Sequence, residues 1–232
     1  MLWHSALALA IALEVLGGLD NGSGQLIDRI RWQGHGSFAI DGAPSIQIAP
    51  WRVVKTDAPP DLILLGHDQY DHCSPADVQK IRGEHTVIVG SESARRIIPD
   101  TKVLREWQSI NVGRANIKAL PAVSSRDPRA GKASGRLGFL ISLDLYDIYY
   151  VGEADTVDEN SYLRPDIILL PIDGYGRLSV ADAVKLVEAM QPKWAIPYNW
   201  GGGGEEATHL DAQSFQSQVS AGTKALLLPV TP

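Results

Sequence analysis

The chain has 232 residues, enough for one sizeable core, and its 44% hydrophobic and 21% charged content is that of a globular protein. A net charge of −6 argues against a broad electrostatic footprint for nucleic acid, while leaving room for a local basic pocket. The single cysteine, Cys73, excludes an intramolecular disulfide framework.

At the N-terminus, Ala6 to Leu13 is an unbroken apolar run, followed by Glu14, Val15, Leu16, Gly17 and Gly18. It has the look of a secretory signal, but no Lys or Arg precedes it, Glu14 interrupts its end, and it is too short to span a bilayer. Residues 1–25 therefore read as an export signal or an N-terminal extension. The protein is secreted or periplasmic in the first case and cytoplasmic in the second. Asp20 to Gly24 reads as a connector, and the folded domain is expected over residues 26–232.

From there the apolar residues alternate: Ile30 and Trp32, Phe38 and Ile40, Ile46 and Ile48, with turns at Gly34, Gly36 and Asp41-Gly42. Period two with intervening turns predicts a β-meander. Asp61 to Gly66 is a continuous apolar run, the mark of a strand buried on both faces. It feeds into the polar segment His67-Asp68-Gln69-Tyr70-Asp71-His72. Ser74-Pro75-Ala76-Asp77 then reads as a helix start, with Ser as N-cap, Pro at the first helical position and Asp at the capping-box position. A strand is expected over 85–90 and a short helix over 91–98.

Ile110 to Leu120 alternates, and Leu137 to Val151 reads as two strands across a turn near Asp144. Asp166 to Pro171 repeats the buried-strand pattern. Ser179 to Met190 is the clearest helix, with a Ser179–Asp182 capping box and an apolar stripe of Val180, Ala183, Val184, Val187 and Met190, and Pro192 stops it. Trp194 to Pro197 is a strand running into Tyr198-Asn199-Trp200 and four glycines, and Leu226 to Leu228 is the expected last strand. Polar clusters thus recur where apolar strands end: His67–His72, Gly152–Asp155, Asp173–Tyr175 and Tyr198–Trp200. Loops at one edge of stacked sheets are where layered folds place their sites.

His67, Asp71 and His72 fall within six residues. Imidazole and carboxylate are good ligands for zinc, manganese or iron, and a strand end holds them firmly. The same hexapeptide also reads as a polar turn with hydrogen-bonded histidines. Its pattern resembles the His-x-His-x-Asp-His loop of the metallo-β-lactamase superfamily, in the form Thr-His-x-His-Tyr-Asp-His of the ascorbate-6-phosphate-lactonase-like branch. Further landmarks follow in order. Gly34-His35-Gly36-Ser37-Phe38 resembles that branch's Gly-His-Ala-Ser-Phe, and Tyr150-Val151-Gly152-Glu153 resembles its Tyr-x-x-Gly-Asp. Asp166–Asp173 resembles its Leu-Leu-Pro-Ile-Gly-Gly element, and Ile196 to Gly201 resembles Ile-Pro-x-His-Tyr-Gly. The resemblance implies an α/β fold, a four-layer αββα sandwich of metallo-β-lactamase type.

Carried over residue by residue, the resemblance implies a metal-ligand set that departs from the family's. His67 matches a ligand of the first metal, but Gln69 stands at its second histidine, and Ser124 or Ser125 at its third. Asp71 and His72 match ligands of the second metal, Asn199 stands where its histidine would be, and Glu153 replaces the bridging Asp. Gln and Asn offer neutral carbonyl oxygens and Ser binds weakly, so the set implies one divalent metal (zinc, manganese or iron) or none, not a two-zinc centre.

Asp68 matches the acidic residue that serves as general base, with a turn-capping carboxylate as the other reading. His35 is a pocket-lining or a structural histidine. Tyr175, Trp200 and Trp51 form an aromatic wall or core packing, and Cys73 reads as a small buried residue without a base. His4, His85 and His209 are expected to face solvent. Arg126, Arg129, Lys132 and Arg136 make a basic loop that either is simply solvated or faces an anionic substrate.

The functional expectation leans to a metal-dependent hydrolase acting on an ester, lactone or phosphodiester bond of a small molecule, with catalytic roles for Asp68 and Glu153. The alternative is a non-catalytic homologue that binds a small polar ligand without metal. A secreted scaffold is a third, resting on the N-terminal run alone. The sequence contains no phosphate-binding glycine loop, zinc-ribbon cysteines or nucleic-acid motif, and it leaves the oligomeric state open.

Overall fold

The computed structural model describes residues 26–55, 57–125, 134–156 and 160–231. The N-terminal apolar run, and Arg126, Arg129 and Lys132, lie outside them.

Two mixed sheets stack face to face. The first has six strands in sequence order: β1 (Ile30–Trp32), β2 (Phe38–Ile40), β3 (Ile46–Ile48), β4 (Leu62–Leu65), β5 (Val87–Gly90) and β6 (Lys102–Val103). The opening meander is antiparallel, and β3 to β6 run parallel. The second has seven strands in reverse order: β13 (Lys224–Ala225), β12 (Trp194–Tyr198), β11 (Ile167–Pro171), β10 (Tyr146–Tyr150), β9 (Leu137–Leu143), β8 (Ala115–Pro121) and β7 (Ser109–Val112). Helices α1 (Pro75–Ile81) and α2 (Glu92–Ile97) belong with the first sheet; α3 (Val180–Met190) and α4 (His209–Gln218) belong with the second. The result is the expected αββα sandwich.

Strand β4 explains its own sequence. Leu62 and Leu64 join the large cluster between the sheets, whereas Ile63 and Leu65 join a smaller one with Val78 and Ile81 of α1 and Ala94 of α2. Alternate side chains of one strand are thus claimed by two cores, so the strand reads as a continuous apolar run. Leu62 to Leu65 are all fully buried.

The N-caps form as the sequence indicates, but the two expected capping boxes differ: the Asp182 carboxylate accepts from the Ser179 hydroxyl (2.7 Å). Ser74, Ser91 and Ser179 each accept from a backbone N–H one turn on. The Asp77 carboxylate, however, does not complete a capping box; it accepts from the Arg52 N–H (3.1 Å) and from Lys80 (3.0 Å), tying the chain before β4 to α1. The 110–120 alternation is a hairpin interrupted at Gly113, whose φ is +57°. The turn at Asp144-Leu145 has φ of +52° and +68°, as a two-residue hairpin of matching twist requires.

Three elements differ from expectation. The last strand is Lys224–Ala225, not 226–228: Leu226 makes a final ladder bond to Ala195 O at 2.9 Å, and the chain then leaves the edge with Leu226, Leu227 and Leu228 packed on the core. Helix α4 buries only Ala212 and Phe215, so its periodicity is faint; its signal is the Thr208–Asp211 capping box. Two-residue β6 carries no pattern at all.

The sheets are stitched together at the functional edge. Leu137 N–H donates to Gly66 O (3.0 Å), and a Cβ on Gly66 would lie 2.4 Å from Leu137 O. Residue 66 must therefore lack a side chain for the end of β4 to meet the start of β9. Removing packing from this interior should be costly: Leu64→Ala is expected to lower unfolding free energy by about 3 kcal/mol, seen as a lower denaturant midpoint at unchanged slope. A loss below about 1 kcal/mol would mean that the two sheets do not share one close-packed core.

Candidate metal centre

The segment after β4 folds as a single tight turn. His72 and Cys73 N–H donate to Gln69 O (2.9 and 2.8 Å), and Gln69 N–H donates to His67 Nδ1 (3.2 Å). The turn brings the His67 and His72 rings to 4.7 Å between centroids and passes directly to the Ser74 cap of α1. Both histidines are buried.

Glu153 arrives from the second sheet. Gly152 turns the chain after β10 at φ +73°, where a Cβ would crowd Leu137 O at 3.0 Å, so both the backbone conformation and the space favour glycine. Among the described residues, His67, His72 and Glu153 present ligand atoms all within 4.8 Å of one another, every one buried. His72 Nε2 lies 3.2 Å from Glu153 Oε1. Asp71 approaches from the rim, half-exposed, with Oδ2 3.7 Å from His72 Nε2.

The His72 ring is held from behind. A Cβ on Gly36 would lie 2.6 Å from His72 Cε1 and 2.8 Å from Tyr150 Oη, so the backbone at 36 forms the wall against which the ring rests. Tyr150 Oη donates to Gly36 O (3.1 Å) and its ring stacks on Tyr198, whose Oη donates to Gly152 O (2.7 Å). Burial pushes both phenols up, so they remain neutral donors.

The charges are arranged unevenly. Burial opposes ionisation of Glu153, but His72 and Arg177 outweigh it and hold the carboxyl far below the usual range. Burial lowers His67, as does the charge of His72, so its imidazole is neutral. Burial also lowers His72, but Glu153 reverses that and the net shift is upward. Arg177 donates through Nη1 to Glu153 Oε2 and through Nε to Asp173 Oδ2 (2.7 Å).

Two atoms in this cluster have no hydrogen-bond partner although buried: His67 Nε2 and Glu153 Oε1. Orphaned buried polar atoms are costly unless something satisfies them. Two imidazole nitrogens and a carboxylate oxygen are a good donor set for a divalent transition ion with one position open, so the residues fit a metal. With Gln69 N–H on Nδ1, the His67 proton sits on Nε2; coordination there needs the other tautomer and loosens a contact that is already long.

The remaining expected residues are dispersed. Gln69 acts through its backbone. Asn199 is buried after β12 at φ +58°, a conformation Asn tolerates, and its backbone N–H donates to His35 O (3.4 Å). Asp68 is half-exposed in the turn, its Oδ2 3.9 Å from Arg96 Nη2. Ser124 and Ser125 both donate to Asp155 Oδ2 (3.1 Å each), clasping the end of β8 to the chain after β10. His35, at φ +48°, pairs through Nδ1 with Glu206, which also accepts from Gly202 N–H (2.7 Å) in the glycine loop. Arg136 is buried, while His85 and His209 are exposed.

The aromatic wall does not form as drawn. Trp200 stacks on Trp32 at 4.9 Å within the core, and Tyr175 is exposed. Trp51 instead meets Tyr70 (4.4 Å) and the edge of His35 (6.4 Å). Burial, with Asp68 adding to it, pushes the Cys73 thiol up to about 12, which keeps it protonated. Sequence reasoning missed Arg177 and Glu206; a lone Arg in the glycine-rich loop after a buried strand was the available signal for the first.

Comparison with known proteins agrees with this geometry. The β-lactamase superfamily domain profile matches residues 29–199. The chain is 29% identical over 191 residues to a UPF0173 metal-dependent hydrolase of Archaeoglobus fulgidus, covering 74% of this chain and 83% of that protein. It is 28% identical over 188 residues to a similar protein of Thermoplasma acidophilum, with the same coverage. Among solved structures, a protein assigned as a metal-dependent hydrolase from Parabacteroides distasonis superposes with a TM-score of 0.76 at 22% identity, covering 87% of this chain and 93% of that one. A metallo hydrolase from Ignicoccus hospitalis gives 0.73 at 16% identity, covering 88% and 95%. With this profile over the two stacked sheets and a buried His-His-Glu group at their shared edge, the chain belongs to the β-lactamase superfamily, in its metallo-β-lactamase form.

Proposed function

We propose that this protein is a hydrolase with one divalent cation at His67, His72 and Glu153, acting on an ester, lactone or phosphodiester bond of a small molecule. The observation that carries this reading is the pair of orphaned buried atoms, His67 Nε2 and Glu153 Oε1, in residues whose ligand atoms, with that of His72, lie within 4.8 Å of one another. The names of the relatives, metal-dependent hydrolases, agree with it.

A divalent cation bound there would supply Lewis-acid polarisation of the scissile group and a more acidic water. The chain's own residues prepare the place. His67 stays neutral because burial depresses it, and its Nε2 becomes a ligand once the ring proton moves to Nδ1 and the Gln69 contact loosens. Glu153 stays ionised because Arg177 and His72 outweigh its burial. Gly36 and Tyr150 fix the His72 ring. Asp68 and Asp71, both in the turn and both half-exposed, are the carboxylates able to take a proton from the attacking water, and the family resemblance assigns that role to Asp68. Trp51 packs edge to face on Tyr70 of the same turn, and no helix among the described residues is long and apolar enough to cross a membrane.

Elemental analysis of protein purified without chelators should find one equivalent of zinc, manganese or iron. His72→Ala and Glu153→Gln should each lose it. Metal-free protein that stays empty at millimolar zinc, manganese or iron would instead favour a pocket that binds a small polar ligand without metal. Gly36→Ala should weaken metal affinity about 10- to 100-fold by displacing the His72 ring, as other outer-shell changes do. Unchanged affinity in a chelator competition would remove His72 from the ligand set. Against a panel of nitrophenyl esters, lactones and phosphodiesters, Asp68→Asn should lower kcat about 100-fold while metal content holds. If kcat holds as well, the proton role passes to Asp71.

A further inference from the structure

Arg177 enters the centre from the loop between β11 and α3. The loop is tight: Gly174 N–H donates to Leu178 O (3.0 Å), Gly174 and Gly176 have φ of +75° and +72°, and Asp173 pairs as an isolated bridge with Ser179. This curl points the side chain back under Glu153. The guanidinium is 17% exposed, and the two carboxylates it joins, Glu153 and Asp173, are 2% and 0% exposed. Asp173 Oδ1 is also occupied, by the Tyr175 N–H at 3.0 Å.

The two oxygens of Glu153 therefore have different neighbours. Oε2 belongs to Arg177, and Oε1 lies 3.2 Å from His72 Nε2 in the group that His67 completes. A guanidinium already seated on Glu153 Oε2 and Asp173 Oδ2 occupies that side of the carboxylate, and a second cation placed beside it would meet like charge in a buried site.

We propose that the Arg177 guanidinium is a resident cation that limits this centre to one divalent metal: it holds Glu153 Oε2 and Asp173 Oδ2 together, closes the position between them, and leaves Glu153 a one-oxygen ligand. Arg177 is thus a positioning residue acting through Glu153. The inference rests on the metal-binding reading above. It differs from a purely structural role in one respect: removing the guanidinium leaves two buried carboxylate oxygens aimed at one vacated point, which is a site for a hard cation such as manganese.

The test is manganese stoichiometry, by equilibrium dialysis with elemental analysis and by electron paramagnetic resonance, on the full chain as wild type, Arg177→Gln and Arg177→Lys. Wild type and Arg177→Lys should bind one equivalent with the spectrum of an isolated ion. Arg177→Gln should bind two, with a spin-coupled spectrum and a melting temperature that rises on adding manganese. If Arg177→Gln folds only with manganese, folding at two equivalents supports the proposal, and failure of manganese to restore folding counts against it. Two equivalents in wild type, or one in folded Arg177→Gln, would overturn it. No manganese in wild type, with zinc and iron also refused, would instead fail the metal-binding reading itself and this inference with it.

Discussion

A carboxylate buried between cations governs this molecule. Glu153 is almost inaccessible, and a charge in that position survives only if opposite charge or hydrogen bonding surrounds it. The chain supplies Arg177 on one side and His72 on the other. Breaking such an arrangement by deleting one partner typically costs about 3–5 kcal/mol, so the loop bearing Arg177, the turn bearing His72 and the strand end bearing Glu153 are bound to one another energetically. The site is thus also a joint of the fold, because its three parts come from different elements of both sheets.

Backbone economy makes that joint possible. Gly66 and Gly152 flank the centre, and both stand against Leu137 O, where a side chain would not fit at 66 and would be crowded and strained at 152. Gly36 backs the His72 ring in the same way. Each glycine allows one element to approach another closely enough for short polar side chains to converge. The two tyrosines, Tyr150 and Tyr198, then lock the backbone carbonyls of Gly36 and Gly152. The ligand positions therefore depend on main chain held by buried hydroxyls, which explains how a polar cluster persists inside an apolar sandwich.

The order of strands, the caps at Ser74 and Ser179, and the turn at Asp144 were legible in the sequence because each is written in local pattern: period-two alternation, a Ser-Pro-x-Asp start, a polar break between apolar runs. His67, His72 and Glu153 were legible because they sit at strand ends beside recognisable landmarks. Their closeness was not: the resemblance put His67 and His72 at two metal positions joined by Glu153, and the fold brings the ligand atoms of all three residues within 4.8 Å of one another. Arg177 escaped because its partners, Glu153 and Asp173, are set by a loop curl that no periodicity encodes. Trp200 was ambiguous for a related reason: a stacked partner 168 residues away, Trp32, decides that it is core. The last strand shifted because an edge ladder ends where the chain departs, not where the apolar residues lie.

The central claim is that two imidazoles and one oxygen of Glu153 hold a single ion while Arg177 keeps the other oxygen. Anomalous diffraction from crystals of the purified protein, recorded across the absorption edge of its metal, examines this directly. The account predicts one peak, about 2.0–2.2 Å from His67 Nε2, His72 Nε2 and Glu153 Oε1, with the Arg177–Glu153 pair intact. Two peaks bridged by Glu153, or one that leaves His67 uncoordinated, would contradict it.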